Sequence, residues 1–239
     1  PAQVEEGVDR WRFGESSIRS QARSGRREVE VQLSCDLPGG GRLEGSITVS
    51  GASCMGVQTT AAEASEPVHA WAPLAMVATG SADLQINGRQ VRLSGRAYHD
   101  RNSGQRPLHD LGIRRWSWGR LAFLEREVIW YHLEPEAPGQ PTRDMVLEVR
   151  PDGQLRAVED HAVEVGPQRW SPFGLRWPRW IRFKDVEGEQ VEVRFHHKVD
   201  DGPFYHRYLV EGLRNGESAR GVAELVVPDR VEYASALAR

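Results

Sequence analysis

Apolar and polar residues alternate through most of this chain. In the clearest run, Val29, Val31 and Leu33 alternate with charged or amide side chains, which is the period of a strand with one buried face. The same period predicts strands in the segments 42–50, 68–77, 82–86, 90–97, 127–133, 144–150, 161–165, 180–186, 190–199, 206–213 and 221–227. We therefore expect a protein built mainly from strands.

Turn signals separate these segments. Asn87-Gly88 and Asn215-Gly216 each stand between two predicted strands, and Asn-Gly in that position is a strong hairpin signal. No segment shows a long helical stripe, and short helical turns are predicted only at 16–20, at 171–178 and at the C-terminal end. The sequence predicts an all-β, antiparallel protein of barrel or sandwich type, with domains over residues 1–124 and 125–239.

Composition and charge limit the kinds of molecule that this chain is expected to bind. The 239 residues carry a formal net charge of −3, which argues against nucleic acid because phosphate binding needs a strong basic excess. No apolar run reaches the roughly 18 residues of a membrane helix, and no signal peptide opens the chain. We expect a cytoplasmic protein, with peripheral membrane contact left open. Cys35 and Cys54 are expected to be reduced, packed thiols rather than a disulfide.

The segment 95–119 has the highest density of chemically capable side chains. Glycine and proline set its turns, and its acid/base and aromatic residues are Tyr98, His99, Asp100, Asn102, His109, Asp110, Trp116 and Trp118. Such a density exceeds what a strand–turn–strand needs in order to fold. We interpret the segment as the lining of a ligand site, with His99 and Asn102 among its substrate contacts.

Asp100 is the predicted proton donor of this site. It follows the apolar-rich run 91–98, where a strand would deliver side chains to a barrel mouth. A carboxyl group in an apolar pocket has a raised pKa because desolvation disfavours its charged form, so it can act as a general acid at neutral pH. The alternative is that Asp100 caps a turn with Asn102 and Gly104, a common role of aspartate.

His69 and Trp71 form a second candidate pair. Residues i and i+2 of a strand share a face, so this imidazole and indole would point together, as would Tyr98 and Asp100. A His–Trp pair inside a barrel could orient a carboxyl group and line a hydrocarbon site. The alternative is a core tryptophan beside a hydrogen-bonded histidine.

Further tryptophans are predicted to line the same site. Trp116 and Trp118 share a strand face, and Trp130 lies one predicted strand further along the chain. Aromatic π faces stabilise cations by roughly 0.5–2 kcal/mol each. A lining of this kind would therefore stabilise a buried carbocation intermediate.

Metal and nucleotide chemistry have no support in the sequence. His196 and His197 are adjacent in a predicted strand and so point to opposite faces. The chain has no P-loop, GxGxxG fingerprint, GxSxG elbow or CxxC pair. We expect neither a metal nor a cofactor.

The chain resembles the carotenoid 1,2-hydratases, also called hydroxyneurosporene synthases, and the wider lipocalin-like group that includes kievitone-type hydratases and pericyclases. The resemblance extends from about Trp11 to Arg230. The segments that carry it are 69–73 (HAWAP), 95–108 with YHD and Asn102, 116–120 (WSWGR), 202–207 (GPFYHR), 221–224 (GVAE) and 229–230.

This resemblance implies two successive lipocalin-like β-barrels, the first incomplete on its N-terminal side. It implies addition of water across a terminal double bond of an acyclic carotenoid or isoprenoid, without a cofactor. The acid would be Asp100, assisted by Tyr98, His69 and Trp71, and the partner would be a hydrophobic polyene.

Two positions depart from the family pattern. Arg101 and Ser103 stand where the family usually has His or Ser after the aspartate and Trp after the asparagine. Ser103 would enlarge or rewet the site, and Arg101 would oppose a carbocation if it faced inward. Two other functions therefore stay open: cyclisation of a polyene in the same pocket, and carriage of a hydrophobic ligand without turnover.

Overall fold

The computed structural model of the protein describes residues 3–5, 8–54, 59–60, 69–158 and 162–231. These residues form nineteen strands and two short 3-10 turns. The strands are β1 (Gln3–Glu5), β2 (Val8–Phe13), β3 (Ser16–Arg23), β4 (Arg26–Asp36), β5 (Arg42–Ala52), β6 (Thr59–Thr60), β7 (His69–Ile86), β8 (Arg89–Gly104), β9 (Ile113–Ala122), β10 (Glu127–Pro135), β11 (Arg143–Val149), β12 (Leu155–Val158), β13 (Glu164–Val165), β14 (Gln168–Trp170), β15 (Arg176–Pro178), β16 (Trp180–Lys184), β17 (Gln190–Asp201), β18 (Tyr205–Arg214) and β19 (Glu217–Val226). The 3-10 turns are η1 (Leu108–Asp110) and η2 (Pro228–Arg230).

The strands form two large sheets and a small ribbon. The first sheet has the order β1-β2-β3-β4-β5-β7-β6, with β8 paired to β7, and the second has the order β12-β11-β10-β9-β19-β18-β17-β16-β13. Strands β14 and β15 form the ribbon. Neighbours such as β4 and β5, or β18 and β19, pair antiparallel. The predicted all-β, antiparallel class is confirmed.

The Asn-Gly hairpins form where the sequence predicts them. Asn87 and Gly88 have φ of 51° and 80°, and Asn215 and Gly216 have 46° and 81°. Two consecutive positive φ angles are typical of the type I′ turn, whose twist matches the flanking strands. These turns fix the register of β7 against β8 and of β18 against β19.

The predicted helical turn at 16–20 is wrong. These residues belong to β3, which pairs with β2 on one side and β4 on the other. Pairing on both edges outweighs the weak local preference of a serine-rich segment. In the segment 171–178, Ser171–Gly174 forms a hydrogen-bonded turn and Arg176–Pro178 is strand β15. At the C-terminal end η2 is a short 3-10 turn, and residues 232–239 lie outside the described part.

The chain divides into two compact units. The first comprises Pro1–Thr59, Trp71–Asn102 and Arg150–Gln154, and the second comprises Thr60–Ala70, Ser103–Val149 and Leu155–Arg239. The predicted domain boundary at 124/125 differs from this division. Strand β9 ends before that boundary, yet it pairs with β10 and β19 and so lies within the second sheet.

The sheet of the first unit curls on itself. Asp9 of β2 lies 3.8 Å from Arg27 of β4 and 3.8 Å from Arg101 of β8. Because β2 and β8 lie toward opposite ends of the strand order, a contact between them requires the sheet to bend into a barrel-like curve. The described core of this unit is small: Val29, Trp71, Ala75, Met76 and Ala78.

The second unit has a larger apolar core. Strands β10, β16, β17, β18 and β19 contribute two residues each. The buried members of this core are Leu121, Phe123, Val128, Trp130, Val146, Val163, Ile181, Phe183, Val191, Val193, Tyr208, Val210, Ala219 and Ala223. Trp130 and Phe183 pack with ring centroids 5.8 Å apart.

Both cysteines are free thiols. Cys54 is half-buried, and burial raises the pKa of its thiol. Cys35 is exposed on β4, so the prediction of a packed thiol is wrong at that position. Among the described residues, no helix has the length and apolar character needed to cross a membrane.

Candidate functional site

A hydrogen bond between Trp71 and Asp100 is the centre of the candidate site. Trp71 lies on β7 and is 2% exposed. Its indole Nε1 donates to Asp100 Oδ2 on the paired strand β8, with 2.7 Å between the two atoms. Two predicted catalytic residues that stand 29 positions apart are therefore in direct contact.

This contact fixes the orientation of the carboxyl group. An indole N–H is a donor only, so Asp100 must present Oδ2 as an acceptor. The carboxyl group is half-buried within β8, rather than in the turn that the capping alternative requires. A held, partly desolvated carboxyl group can donate a proton from its second oxygen.

Tyr98 lies two residues before Asp100 on the same strand and is also half-buried. Since side chains alternate along a strand, the phenol ring and the carboxyl group lie on one face of β8. The predicted pairing of these two residues on one face follows from this placement.

Arg101 lies on the other face of β8. Its guanidinium is paired with Asp9 at 3.8 Å, and alternation directs it away from the face that carries Asp100. The added cation that departs from the family pattern is therefore not aimed at the predicted acid. Ser103 and Asn102 are exposed at the end of β8.

His99 shares the face of Arg101. Burial is the main cause that lowers the pKa of His99 to about 4. The charge of Arg27 lowers it further, Asp9 opposes this, and Arg101 adds a smaller lowering effect. The ring is therefore neutral at physiological pH. Its predicted contact with substrate stays a prediction.

His69 is the first residue of β7, two positions before Trp71. Its backbone belongs to the strand, whereas its side chain lies outside the described part. The assisting role of the imidazole stays a prediction.

Trp116 and Trp118 lie together on one face of β9 in the second unit. Both indoles are buried, and Trp118 meets Tyr131 edge to face with centroids 6.4 Å apart. Neighbouring Gly119 faces the opposite way, against the ring of Trp130. The two tryptophans therefore lie on the sheet face that turns away from the core.

Trp130 is a core residue of the second unit. It is fully buried, belongs to the main apolar cluster and stacks near Phe183. Trp116 and Trp118 are on the other face of the same sheet, so Trp130 does not share their surface. Substrate contact at these three tryptophans stays a prediction.

A polar group on that second-unit face was missed by residue-by-residue reasoning. Arg207 donates to Tyr205 Oη at 2.9 Å and to Glu224 Oε1 at 2.9 Å. Glu224 is the ladder partner of Trp118, which puts the group beside the tryptophan pair. Burial, together with Glu224, raises the pKa of Tyr205 well above its usual value. The sequence did contain a sign of this group, because its three residues lie in the family-like segments 202–207 and 221–224.

Within the described residues, no three His, Cys, Asp or Glu side chains converge as a metal site would require. The buried histidines are engaged in other contacts. His132 Nδ1 lies 2.6 Å from Asp144, and His206 Nε2 lies 2.9 Å from Asp201.

A solved structure supports the fold. Kievitone hydratase from Nectria haematococca superposes with a TM-score of 0.53 at 8% identity, covering 92% of this chain and 84% of that chain. At this identity the likeness concerns the fold alone. The fold is lipocalin-like, as the sequence resemblance implies.

Two curated relatives match part of the chain. A hydroxyneurosporene dehydrogenase from Chlorobaculum tepidum is 32% identical over 155 residues, 61% of this chain and 39% of the relative. An acyclic carotenoid 1,2-hydratase from Rubrivivax gelatinosus is 28% identical over 165 residues, 68% of this chain and 37% of the relative. The matched region is therefore less than two fifths of the length of each relative.

The family comparison covers almost the whole chain. The model for the carotenoid hydratase CrtC matches residues 2–237, which include the Trp71–Asp100 pair and the motifs of the second unit. The chain belongs to the carotenoid hydratase CrtC family.

Proposed function

We propose that this chain adds water across a terminal carbon–carbon double bond of an acyclic carotenoid, with Asp100 as the general acid. The observation that carries the proposal is the buried indole of Trp71 donating to the Asp100 carboxyl group. Membership of the carotenoid hydratase family supports the reaction class. The name of the Rubrivivax relative, an acyclic carotenoid 1,2-hydratase, supports the substrate class.

The reaction begins with proton transfer. Asp100 gives its carboxyl proton to the less substituted alkene carbon, and a tertiary carbocation forms at the neighbouring carbon. Water adds to that cation and loses one proton, which returns to the Asp100 carboxylate. One water is consumed and the acid is regenerated. Because the substrate gains or loses no electrons overall, this chemistry requires no redox cofactor.

Trp71 positions the acid in this scheme. Its N–H donates to Oδ2, and in this scheme Oδ1 carries the transferable proton. Tyr98 shares the face of Asp100 and supplies an aromatic ring that stabilises the cation. The assisting role of His69 and the substrate contact at Asn102 stay predictions, whereas His99 lies on the face of β8 opposite to Asp100.

The test compares two aspartate variants of the same unit. The purified chain, Asp100→Asn and the control Asp83→Asn are incubated with lycopene or neurosporene in detergent, and pigments are analysed by mass spectrometry. Asp83 is an exposed carboxylate of β7 paired with Arg92. We expect the wild-type chain and the control to yield a product heavier by one water. Asp100→Asn should lose turnover roughly 100-fold or more, while pigment still co-elutes with it.

Other outcomes would redirect the assignment. Undiminished turnover by Asp100→Asn would remove the acid role from that residue. Pigment bound by all three proteins without conversion would favour a carrier. A product of unchanged mass would favour cyclisation.

A further inference from the structure

The inner face of the first unit's sheet is apolar along part of its length. Trp11, Ile18, Val31 and Ile47 lie in one cross-strand row, each paired with the next. All four of these residues are only half-buried. The curled sheet therefore has an apolar inner face that stays partly accessible.

The wall formed by β5, β7 and β8 carries small residues. Gly51 pairs with Ala78, and Gly80 pairs with Val49. A Cβ on Gly80 would lie 2.9 Å from the Cβ of Ala97, so β8 packs closely here. Side chains this small project little from the sheet toward the inside of the curve.

One end of this inner face is charged. Asp9 lies in ion-pair distance of two guanidinium groups, Arg27 and Arg101, at 3.8 Å from each. These separations exceed hydrogen-bond length, so the shared carboxylate is not hydrogen-bonded to either. Arg27 Nη1 donates to Ser20 Oγ at 3.1 Å. Two cations against one carboxylate leave one positive charge in the cluster.

Two donor-capable atoms of this cluster have no acceptor. Within the described residues, Arg27 Nε and His99 Nδ1 are buried and without a hydrogen-bond partner. Arg27 is 15% exposed and Arg101 is 43% exposed, so the cluster is sheltered at one side and open at the other. Burial lowers the pKa of the Arg27 guanidinium, as expected for a cation with incomplete compensation.

We propose that the first unit binds a long-chain carboxylate, with the head group between Arg27 and Arg101 and the hydrocarbon tail directed along β4, where it crosses the apolar row. Guanidinium groups match planar carboxylates through paired N–H bonds, and one net positive charge suits a monoanion. Arg27 to Leu33 on β4 gives the tail about 20 Å of inner face at about 3.3 Å per residue. This proposal does not depend on the hydratase function, because its residues lie on the opposite face of β8 from Asp100.

The test measures binding of decanoate and decan-1-ol, which share a chain length but differ in charge. Tryptophan fluorescence reports binding, since Trp11 lies in the apolar row. We expect decanoate to bind the wild-type chain at least about tenfold more tightly than the alcohol, as charge-assisted hydrogen bonds imply. Arg27→Met and Arg101→Met should each remove most of that preference and leave alcohol binding unchanged.

Arg92→Met is the matched control. Arg92 lies on β8, is exposed and pairs with Asp83, so its loss should leave the preference intact. Arg101 is more exposed than Arg27, so Arg101→Met tests the site even if Arg27→Met does not fold. Equal affinity of the wild-type chain for acid and alcohol, or no binding of either, would overturn the proposal. So would a preference that survives in Arg101→Met.

Discussion

At the scale of single residues, the proposed acid catalysis depends on one hydrogen bond, from the indole of Trp71 to the carboxyl group of Asp100. The indole N–H of Trp71 has no lone pair to offer, so its 2.7 Å contact with Asp100 can be made in one direction only. A carboxyl group held in this way keeps a constant orientation relative to β7 and β8. Precise orientation of an acid contributes directly to its rate of proton transfer.

Trp71→Phe tests this positioning role. The change keeps an aromatic ring in a buried place but removes the donor, so kcat should fall about tenfold or more while KM changes little. Steady-state turnover with the same carotenoid gives both constants. Trp170→Phe, at an exposed tryptophan of β14, is the control and should match the wild-type chain. A rise in KM with unchanged kcat would show that Trp71 only binds substrate.

The lowered pKa of His99 predicts how the free energy of unfolding depends on pH. Its pKa is about 4 in the folded chain, against an ordinary value of 6.5, so between these values the unfolded chain binds a proton that the folded chain does not. The free energy of unfolding should therefore fall as pH drops from about 6.5 to 4, with no further loss from this group below pH 4.

Urea unfolding at pH 7 and pH 4.5 measures this effect. His99→Gln should lose less stability on acidification than the wild-type chain, because the amide does not titrate. The other titrating groups are common to both proteins and cancel in the comparison. An equal loss in the two proteins would contradict the predicted shift at His99.

Part of the candidate site's geometry was predictable at this scale because two predicted catalytic residues stand close together in the sequence. Tyr98 and Asp100 stand two residues apart, and strand alternation is enough to place them on one face. The contact between Trp71 and Asp100 depends on the register of β7 against β8, which single-residue patterns do not fix. The pairing of Arg101 with Asp9 depends on the curvature of the whole sheet.

At the scale of elements, β9 and β10 place different kinds of side chain on the two faces of the second sheet. Gly119 of β9 pairs with Trp130 of β10, and the indole lies over the glycine. The adjacent residues of β9, Trp118 and Arg120, face the other way. Arg120 forms a buried two-point ion pair with Glu127, with N–O distances of 2.8 and 2.7 Å.

Gly119→Ala tests the close contact between these strands. The added Cβ would lie 2.1 Å from Trp130 Cζ2, so the ring must move, and the free energy of unfolding should fall by about 1–3 kcal/mol. Gly95→Ala in β8 is the control, because nothing lies within 4 Å of its added Cβ. Urea unfolding should show little change or a slight gain in that control. Equal effects of the two substitutions would contradict the packing described.

Sequence periodicity located most elements but divided β7 in two. Residues 68–77 and 82–86 were predicted as separate strands, whereas His69–Ile86 is one continuous strand. The intervening Ala78, Thr79, Gly80 and Ser81 lack large apolar side chains, so they carry no strong period-two signal. Pairing with β5, from Gly51↔Ala78 to Leu43↔Ile86, holds them in the sheet.

At the scale of the whole molecule, chain order and spatial grouping differ. Residues Arg150–Gln154 belong to the first unit although β11 and β12 on either side belong to the second sheet. Gly153 lies so close to Ser53 that an added Cβ would be 2.3 Å from its carbonyl oxygen. Local sequence pattern cannot predict that residues 150–154 group with the first unit. The predicted boundary at 124/125 differs from the observed division because β9 pairs with β10 and β19 of the second sheet.

Labelled water tests the central claim, acid-catalysed hydration by Asp100, most directly. The wild-type chain is incubated with lycopene in heavy-oxygen water and, separately, in deuterium oxide, beside Asp100→Asn. We predict a wild-type product with one heavy oxygen on the tertiary carbon and one non-exchangeable deuterium on the adjacent terminal-alkene carbon, and almost no product from Asp100→Asn. A product without oxygen from water, or the same labelled product formed equally fast by Asp100→Asn, would contradict the account.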